Sequence, residues 1–375
     1  MPTLFFRKNV LQALLCALLG IVGILPVTAR ADKLDDNLQT VWESLWDQRG
    51  TPRQLVRWEQ TLTYSVSGVD AEQHSKQIHR AMAEAAKWTK LEVTEINLNN
   101  DAKTAAALQF EVVKNDLLPD SMPCVTQPTW SNWTLTKAVV KMQSKGAWRC
   151  IFHEVMHAMG IPGHPSGKTV LSYFPYRRDE FMALDQLMLK AWYDPAMPKG
   201  ATPLEALVVL ASAVSQQSDL DISADQAIER TQAFSLRAVS DLKALALGKG
   251  EIPTIVQRSG RASTTHIEAA RPLAAYFLGR AYSRGTIVNL DAAAATDWYR
   301  LSAKGGYSAG QVMLARALIK GVGTDIDQSA AYGWLSIAAK SNTVALKELE
   351  LLEKSMSAEQ LAAAKLLPLP ALELK

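Results

Sequence analysis

The chain has 375 residues, of which 48% are hydrophobic and 21% are charged. This composition is that of an ordinary globular protein and excludes a disordered, collagen-like or polytopic membrane protein. Basic residues number 40 and acidic residues 37, and three of the basic residues but no acidic ones fall in the first 31 positions. Without that segment the two kinds balance at 37 each. Charge therefore predicts no nucleic-acid partner and no affinity for anionic lipid.

The first 31 residues have the pattern of a secretory signal peptide. Two basic residues precede an almost wholly apolar run from Val10 to Val27, and the small residues Ala29 and Ala31 stand where a signal peptidase reads the chain. We therefore expect cleavage before Asp32. The mature protein is then expected to be periplasmic or secreted in a bacterium, with no stable membrane insertion. The alternative is an uncleaved anchor, because the apolar run could nearly span a bilayer.

Between the signal segment and residue 150 the sequence alternates between strand and helix patterns. Strands are predicted at 58–67, 91–98 and 108–114, and helices at 71–91 and 135–145. The strand at 108–114 is a candidate sheet edge on which an extended peptide could pair. Trp130 and Trp133 are placed in a polar loop, where they either line a substrate groove or pack over the loop. His74 and His79 are five apart on one helix, so they diverge and are predicted to lie on the surface.

Two cysteines, Cys124 and Cys150, remain after the predicted cleavage. In an oxidising compartment such a pair favours one disulfide. Closing that loop would contribute about 3 kcal/mol in the chain-entropy estimate. The alternative is two independent buried thiols.

A metal-binding pattern follows directly after Cys150. His153 and His157 are four residues apart, so on a helix both imidazoles project from one face. Glu154 stands beside the first histidine, as in the HExxH arrangement of two Zn²⁺ ligands and a general base. Gly160 permits the turn that ends the helix. The chain then reaches His164, which can return as a third ligand.

This block resembles the metzincin signature HExxHxxGxxH, lengthened by one residue before His164. The segment 169–174 resembles the Met-turn of serralysin-like and astacin-like enzymes, with Leu171 in place of the methionine and Tyr173 retained. The resemblance spans about residues 50–215. It also extends to a bacterial family of unknown function that has a metzincin-like core beside Sel1 repeats.

The resemblance implies an α+β zinc-peptidase fold and a role for Tyr173 beside the metal or the oxyanion. The alternative for Tyr173 is an aromatic side chain in the core of the turn. The extra residue leaves a second choice of third ligand, Asp179 or Glu180, from the start of the helix predicted at 179–194. A degenerate site that binds metal without turnover is a further alternative.

The C-terminal half is rich in alanine and leucine and contains an internal repeat of 36 residues. Leu278, Asp291 and Trp298 recur as Leu314, Asp327 and Trp334, together with small residues at matching steps. The pattern resembles Sel1 repeats, which form a solenoid of helical hairpins. Helices within 224–247 and 341–367 are expected to complete the stack, and capping boxes are predicted at Thr202, Ser223 and Ser357. The solenoid either binds a protein partner or buttresses the fold.

The sequence thus predicts a signal peptide at 1–31, a metzincin-like α+β metallopeptidase domain at 32–215 and an all-α Sel1/TPR-like solenoid at 216–375. The predicted activity is zinc-dependent peptide-bond hydrolysis with Glu154 and Tyr173 as catalytic residues and Zn²⁺ as the cofactor. The substrate is a protein or peptide, and the sequence does not distinguish a protein loop from a peptidoglycan crosslink as the target. The alternative is an inactive envelope scaffold that works through protein contacts of its repeats.

Overall fold

The structure is a computed structural model that describes residues 33–96, 105–172, 179–251, 253–258 and 263–373. The predicted signal segment and Tyr173 lie outside these residues. Among the helices in the described ranges, none combines the length and the hydropathy that crossing a bilayer requires.

The N-terminal half is an α/β region built on one five-stranded mixed sheet. Its described elements, in chain order, are α1 Lys33–Ser44, β1 Leu62–Gly68, α2 Ala71–Thr89, β2 Val93–Glu95, β3 Leu108–Val113, β4 Cys124–Ser131, β5 Thr134–Gln143, α3 Ile151–Ala158, α4 Ala183–Trp192 and α5 Pro203–Ser215. The strand order is β2-β1-β3-β5-β4; the first four strands run parallel and β4 runs antiparallel to β5. Helix α3 packs against β4 and β5, so the HExxH segment lies at the antiparallel edge of the sheet.

Two predictions about the sheet were wrong. Residues 135–145 contain no helix, because β5 occupies most of them and alternates buried Ala138, Val140 and Met142 with more exposed neighbours. The strand β3 is not an edge, since it pairs with β1 on one side and with β5 on the other. The edge beside α3 is instead β4, which within the described residues pairs only with β5.

One histidine prediction was also wrong. His74 is buried, with 8% of its surface exposed, because it shares the inner face of α2 with Ile78 and Ala81. This face has the i, i+4, i+7 spacing of an amphipathic helix. His79 is exposed as predicted, and its Nε2 atom lies 2.9 Å from the Glu95 carboxylate.

The tryptophan pair belongs to a hairpin instead of a polar loop. Trp130 is in β4 and is 48% exposed. Asn132 and Trp133 form the two-residue turn between β4 and β5, and both have positive φ angles, of 47° and 63°. The indole of Trp133 lies over Gly200, where an added Cβ would come within 2.5 Å of the ring. Trp133 therefore packs against the segment that precedes α5, whereas the packing alternative placed it over its own loop.

The structure joins Cys124 and Cys150 in a disulfide, with their Cα atoms 6.3 Å apart. Cys124 is the first residue of β4, and Cys150 immediately precedes α3. The bridge thus ties the edge strand to the start of the helix that carries the HExxH histidines. It limits how far these two elements can separate.

The C-terminal half is entirely helical in the residues that the structure describes. Its helices are α6 Ala224–Leu247, α7 Thr254–Arg258, α8 Thr264–Arg284, α9 Ala292–Lys304, α10 Ser308–Lys320, α11 Gln328–Ala338, α12 Thr343–Ser355 and α13 Ala358–Leu366. Successive helices from α8 to α12 pack side by side, α6 packs on α8, and α13 packs on α11. The helices predicted to complete the stack are therefore present on both sides of the repeat.

Residues 36 positions apart have the same structural roles. The carboxylates of Asp291 and Asp327 accept hydrogen bonds from the backbone N–H groups of Ala294 and Ala330, at 2.9 and 2.8 Å, and so cap α9 and α11. Each cap belongs to the second helix of a hairpin. The repeat seen in the sequence is thus a repeat of helix pairs.

A buried ion pair links the two halves. Glu205, in the first turn of α5, is buried and accepts hydrogen bonds from Arg280 and Arg284 of α8, at 2.9 and 2.7 Å. Its second oxygen accepts the N–H of Thr202 and closes the capping box predicted there. Hydrophobic residues of both halves also form one continuous core. The solenoid is therefore packed on the α/β region as well as connected to it.

We predict that Glu205→Ala destabilises the protein by about 3 kcal/mol, because it leaves the largely buried Arg280 without its partner. Chemical denaturation followed by circular dichroism measures the change. Glu348→Ala is the matched control, since Glu348 pairs with the more exposed Arg316 and should cost about 1 kcal/mol or less. Equal losses of stability in the two variants would show that the buried ion pair contributes no more than the exposed one.

Candidate metal centre

Helix α3 brings the two HExxH histidines together. Its other side chains, among them Ile151, Phe152 and Val155, are buried and fix the helix against the sheet. His153 and His157 share the remaining face, and their Nε2 atoms are 3.1 Å apart. The helix ends in a turn at Gly160, where φ is +103° and a Cβ would collide with the Val56 carbonyl oxygen. Glycine is required at that position.

Backbone carbonyls orient both imidazoles. The Nδ1 atom of His153 lies 2.8 Å from the Val170 carbonyl oxygen, and that of His157 lies 2.7 Å from the Ile161 carbonyl oxygen. A carbonyl only accepts, so each Nδ1 carries the proton and donates it. The two Nε2 atoms are then unprotonated and present their lone pairs to the same point. This is the orientation in which imidazole binds a metal ion.

The loop that carries His164 is fitted against α1. The N–H of Gly163 donates to the Ser44 carbonyl at 3.0 Å, and a Cβ on Gly163 would lie only 2.5 Å from the Glu43 carbonyl oxygen. The buried Glu43 carboxylate accepts from the N–H and the hydroxyl of Ser166, at 2.7 and 2.9 Å. Contacts on both sides of His164 thus fix the longer loop and return the histidine to the site.

The three Nε2 atoms of His153, His157 and His164 form an equilateral triangle of 3.1 Å sides. They are the group of potential ligands that the described residues bring together for a metal ion. Zinc–nitrogen bonds of 2.0–2.1 Å at tetrahedral angles would separate such atoms by about 3.3 Å. The donor set and its spacing therefore fit a Zn²⁺ ion. Asp179 and Glu180, the alternative ligands, are exposed and take no part, and Asp179 pairs with Arg80.

The local environment controls the charge of the site. Burial and, to a smaller extent, the neighbouring His153 lower the pKa of His157 to about 3, against the opposing effect of the hydrogen bond to Ile161. A neutral imidazole at ordinary pH is the form that binds a metal ion. Burial also raises the pKa of the Glu154 carboxyl, against the opposing effects of His153 and of a hydrogen bond from Thr126.

Thr126 is a site residue that the sequence did not indicate. Its hydroxyl donates to the Glu154 carboxylate at 2.6 Å and reaches across from β4 to α3. Glu154 is 4% exposed, so this bond fixes the direction of a carboxylate that has little contact with water. The edge strand thus orients the predicted general base.

Asp185 of α4 supports the opposite side of the site. Its fully buried carboxylate accepts hydrogen bonds from the Thr169 hydroxyl and from the backbone N–H groups of Val170 and Met182, the last at 2.9 Å. Burial raises its pKa to about 6. The residue whose N–H it holds, Val170, is the one whose carbonyl accepts from His153. Asp185 therefore positions a ligand through the backbone, although nothing in the sequence distinguished it from other helix residues.

The comparisons with known proteins concern the C-terminal half. Residues 272–307 and 308–342 match the Sel1 repeat. This agrees with the resemblance inferred from the 36-residue period and with the helix pairs α8–α9 and α10–α11. A search of curated proteins found no match to the chain.

Two solved structures also align with it. One is a protective antigen of uropathogenic Escherichia coli strains that displays an SLR fold, at 22% identity over 49% of this chain and 40% of that one, with a TM-score of 0.25. The other is a Sel1 repeat protein from Oxalobacter formigenes, at 28% identity over 34% of this chain and 98% of that one, with a TM-score of 0.22. The chain thus spans less than half the length of the antigen.

We predict that Asp185→Asn weakens metal binding by about 10- to 100-fold, as is usual when a residue that orients a ligand is changed. Competition with a chromophoric chelator measures the affinity, and circular dichroism verifies the fold. The control Asp297→Asn removes an exposed carboxylate of α9 that pairs with Arg300 and should leave the affinity unchanged. An unaltered affinity in Asp185→Asn would contradict the positioning role.

Proposed function

We propose that the protein is an exported zinc-dependent peptidase whose catalytic centre is His153, His157, His164 and Glu154. The observation that carries the proposal is the triangle of three Nε2 atoms 3.1 Å apart, which two histidines of α3 and His164 of the following loop form beside the buried carboxylate of α3. A zinc ion in such a site polarises a carbonyl oxygen and lowers the pKa of water to about 7. The metzincin-like fold implied by the sequence is part of this proposal.

In this mechanism Glu154 takes a proton from the attacking water and then delivers it to the leaving amine. Desolvation makes the ionised carboxylate a stronger base, since burial raises its pKa. Thr126 donates to one oxygen of this carboxylate and so fixes its orientation. Tyr173, outside the described residues, keeps its proposed role as a partner of the oxyanion.

The strand β4 is the proposed place for an extended peptide. It forms the sheet edge next to α3, and its residues Gln127 to Ser131 are exposed. Main-chain hydrogen bonds along such an edge hold a peptide without regard to most of its side chains. Thr126, on the same strand, contacts Glu154, so a peptide on this edge would lie close to the general base. The substrate class is therefore a peptide, either a protein segment or a peptidoglycan crosslink.

The Sel1 repeats give the second function. Repeats of this kind are a surface for protein partners, and we propose that here they recruit the substrate or a partner to the catalytic half. The competing proposal is an envelope scaffold that acts through the repeats alone. A secreted or periplasmic location belongs to both proposals.

Zinc content is the first measurement. After metal repletion and desalting, elemental mass spectrometry should find about one zinc per chain, because three neutral imidazoles and one open position are typical of catalytic zinc. His157→Ala should lose the metal, whereas His79→Ala, which removes an exposed imidazole paired with Glu95, should keep it. A folded protein without zinc would contradict the catalytic site.

Glu154→Gln separates the enzyme from the scaffold. It should retain zinc and lose hydrolysis by about 10²- to 10⁴-fold, the usual contribution of a general base. The probes are a quenched fluorescent peptide library and crosslinked muropeptides, followed by fluorescence and mass spectrometry respectively. If the cellular phenotype survives Glu154→Gln and is lost when residues 272–342 are deleted, the scaffold is the better description.

A further inference from the structure

A glutamine from outside the HExxH block lies beside His164, one of the three imidazoles. The Nε2 atom of Gln48 is 3.5 Å from the Nε2 atom of His164. Gln48 is half-buried and belongs to the turn that follows α1, more than a hundred residues before the histidines. No sequence motif connects it with them.

Hydrogen bonds fix the backbone of the turn that carries Gln48. One oxygen of the Asp47 carboxylate accepts the N–H groups of Arg49 and Thr51, at 2.9 and 3.0 Å. The other pairs with the Arg53 guanidinium, and the backbone N–H of Arg53 donates to Leu45 at 2.9 Å. These bonds close the turn on both sides of Gln48. Its carboxamide therefore starts from a well-defined position at the edge of the nitrogen triangle.

We propose that Gln48 is a fourth residue of the metal centre and that its carboxamide oxygen is a displaceable ligand of the ion held by the three histidines. This inference rests on the metal site of the proposed function. A half-turn about the last bond of the side chain exchanges Nε2 for Oε1, so the same carboxamide can place its N–H group beside the His164 ring or its oxygen beside a cation.

Coordination by Gln48 would determine whether the metal centre is closed or open to substrate. A zinc centre with four protein ligands is closed, whereas a catalytic centre keeps one position for water or substrate. A neutral amide oxygen is the same chemical group as the carbonyl of a peptide substrate. Gln48 would therefore complete the resting site, and a peptide on the adjacent edge strand would replace it with an identical kind of oxygen.

Cobalt binding tests the proposal without a substrate. The purified protein is loaded with Co²⁺, whose visible absorption reports the number and type of its ligands, and the affinity is measured by chelator competition. Gln48→Leu should change the spectrum and lower the affinity by about 10-fold or more. Gln48→Glu, which keeps an oxygen at the same reach, should bind at least as tightly as the parent protein. The matched control is Gln73→Leu, at an exposed position on α2, and should match the parent in both readouts.

The outcomes separate this inference from the metal site itself. If Gln48→Leu has the parent spectrum and affinity, Gln48 is not a donor, while the three-histidine site stands. If the folded parent protein binds neither Co²⁺ nor Zn²⁺, the metal site fails as well. Should Gln48→Leu not fold, Gln48→Asn provides the second variant: its amide is one methylene short of the site, and an altered cobalt spectrum supports the proposal whereas an unaltered one overturns it.

Discussion

Three imidazole Nε2 atoms that converge to within 3.1 Å of one another impose the constraint on which the site depends. The Nε2 atoms of His153 and His157 both present lone pairs, so their approach is repulsive until a cation or a proton lies between them. Burial works against the proton, since it lowers the pKa of His157 to about 3. The fold holds the arrangement through the carbonyls of Val170 and Ile161, which bind the opposite side of two rings. A metal ion bound between the three nitrogens would remove this repulsion, so the arrangement is one that metal binding stabilises.

Helix α1 contributes to this constraint although it carries no ligand. Its last turn receives the loop of His164 through the Ser44 carbonyl and the Glu43 carboxylate, and the turn that follows carries Gln48. The backbone at Gly167 also packs closely on this helix, because a Cβ there would overlap the hydroxyl of Thr40. The extra residue before His164 is therefore accommodated by a surface built from the start of the described chain. The site is assembled from both ends of the α/β region.

The local features were predictable from sequence and the distant ones were not. The spacing of His153 and His157 requires only a helix, and the capping box at Thr202 requires only its own turn. The strand β5 was mistaken for a helix because its alternation of buried residues becomes visible only when β3 and β4 flank it. Asp185 acts on His153 through a backbone group of another segment, so no pattern of residue types in the sequence marks it.

The buried Glu154 bears on the choice between enzyme and scaffold. A carboxylate that is 4% exposed disfavours its charged form, and burial accordingly raises its pKa. A scaffold would gain stability from an apolar residue at this position, because a buried acid costs free energy that the single bond from Thr126 does not fully offset. A general base, in contrast, needs this desolvation. The disulfide holds β4 to α3 near this carboxylate, and Thr126 of β4 bonds to the carboxylate itself. This environment fits the proposed general base better than it fits a purely structural residue.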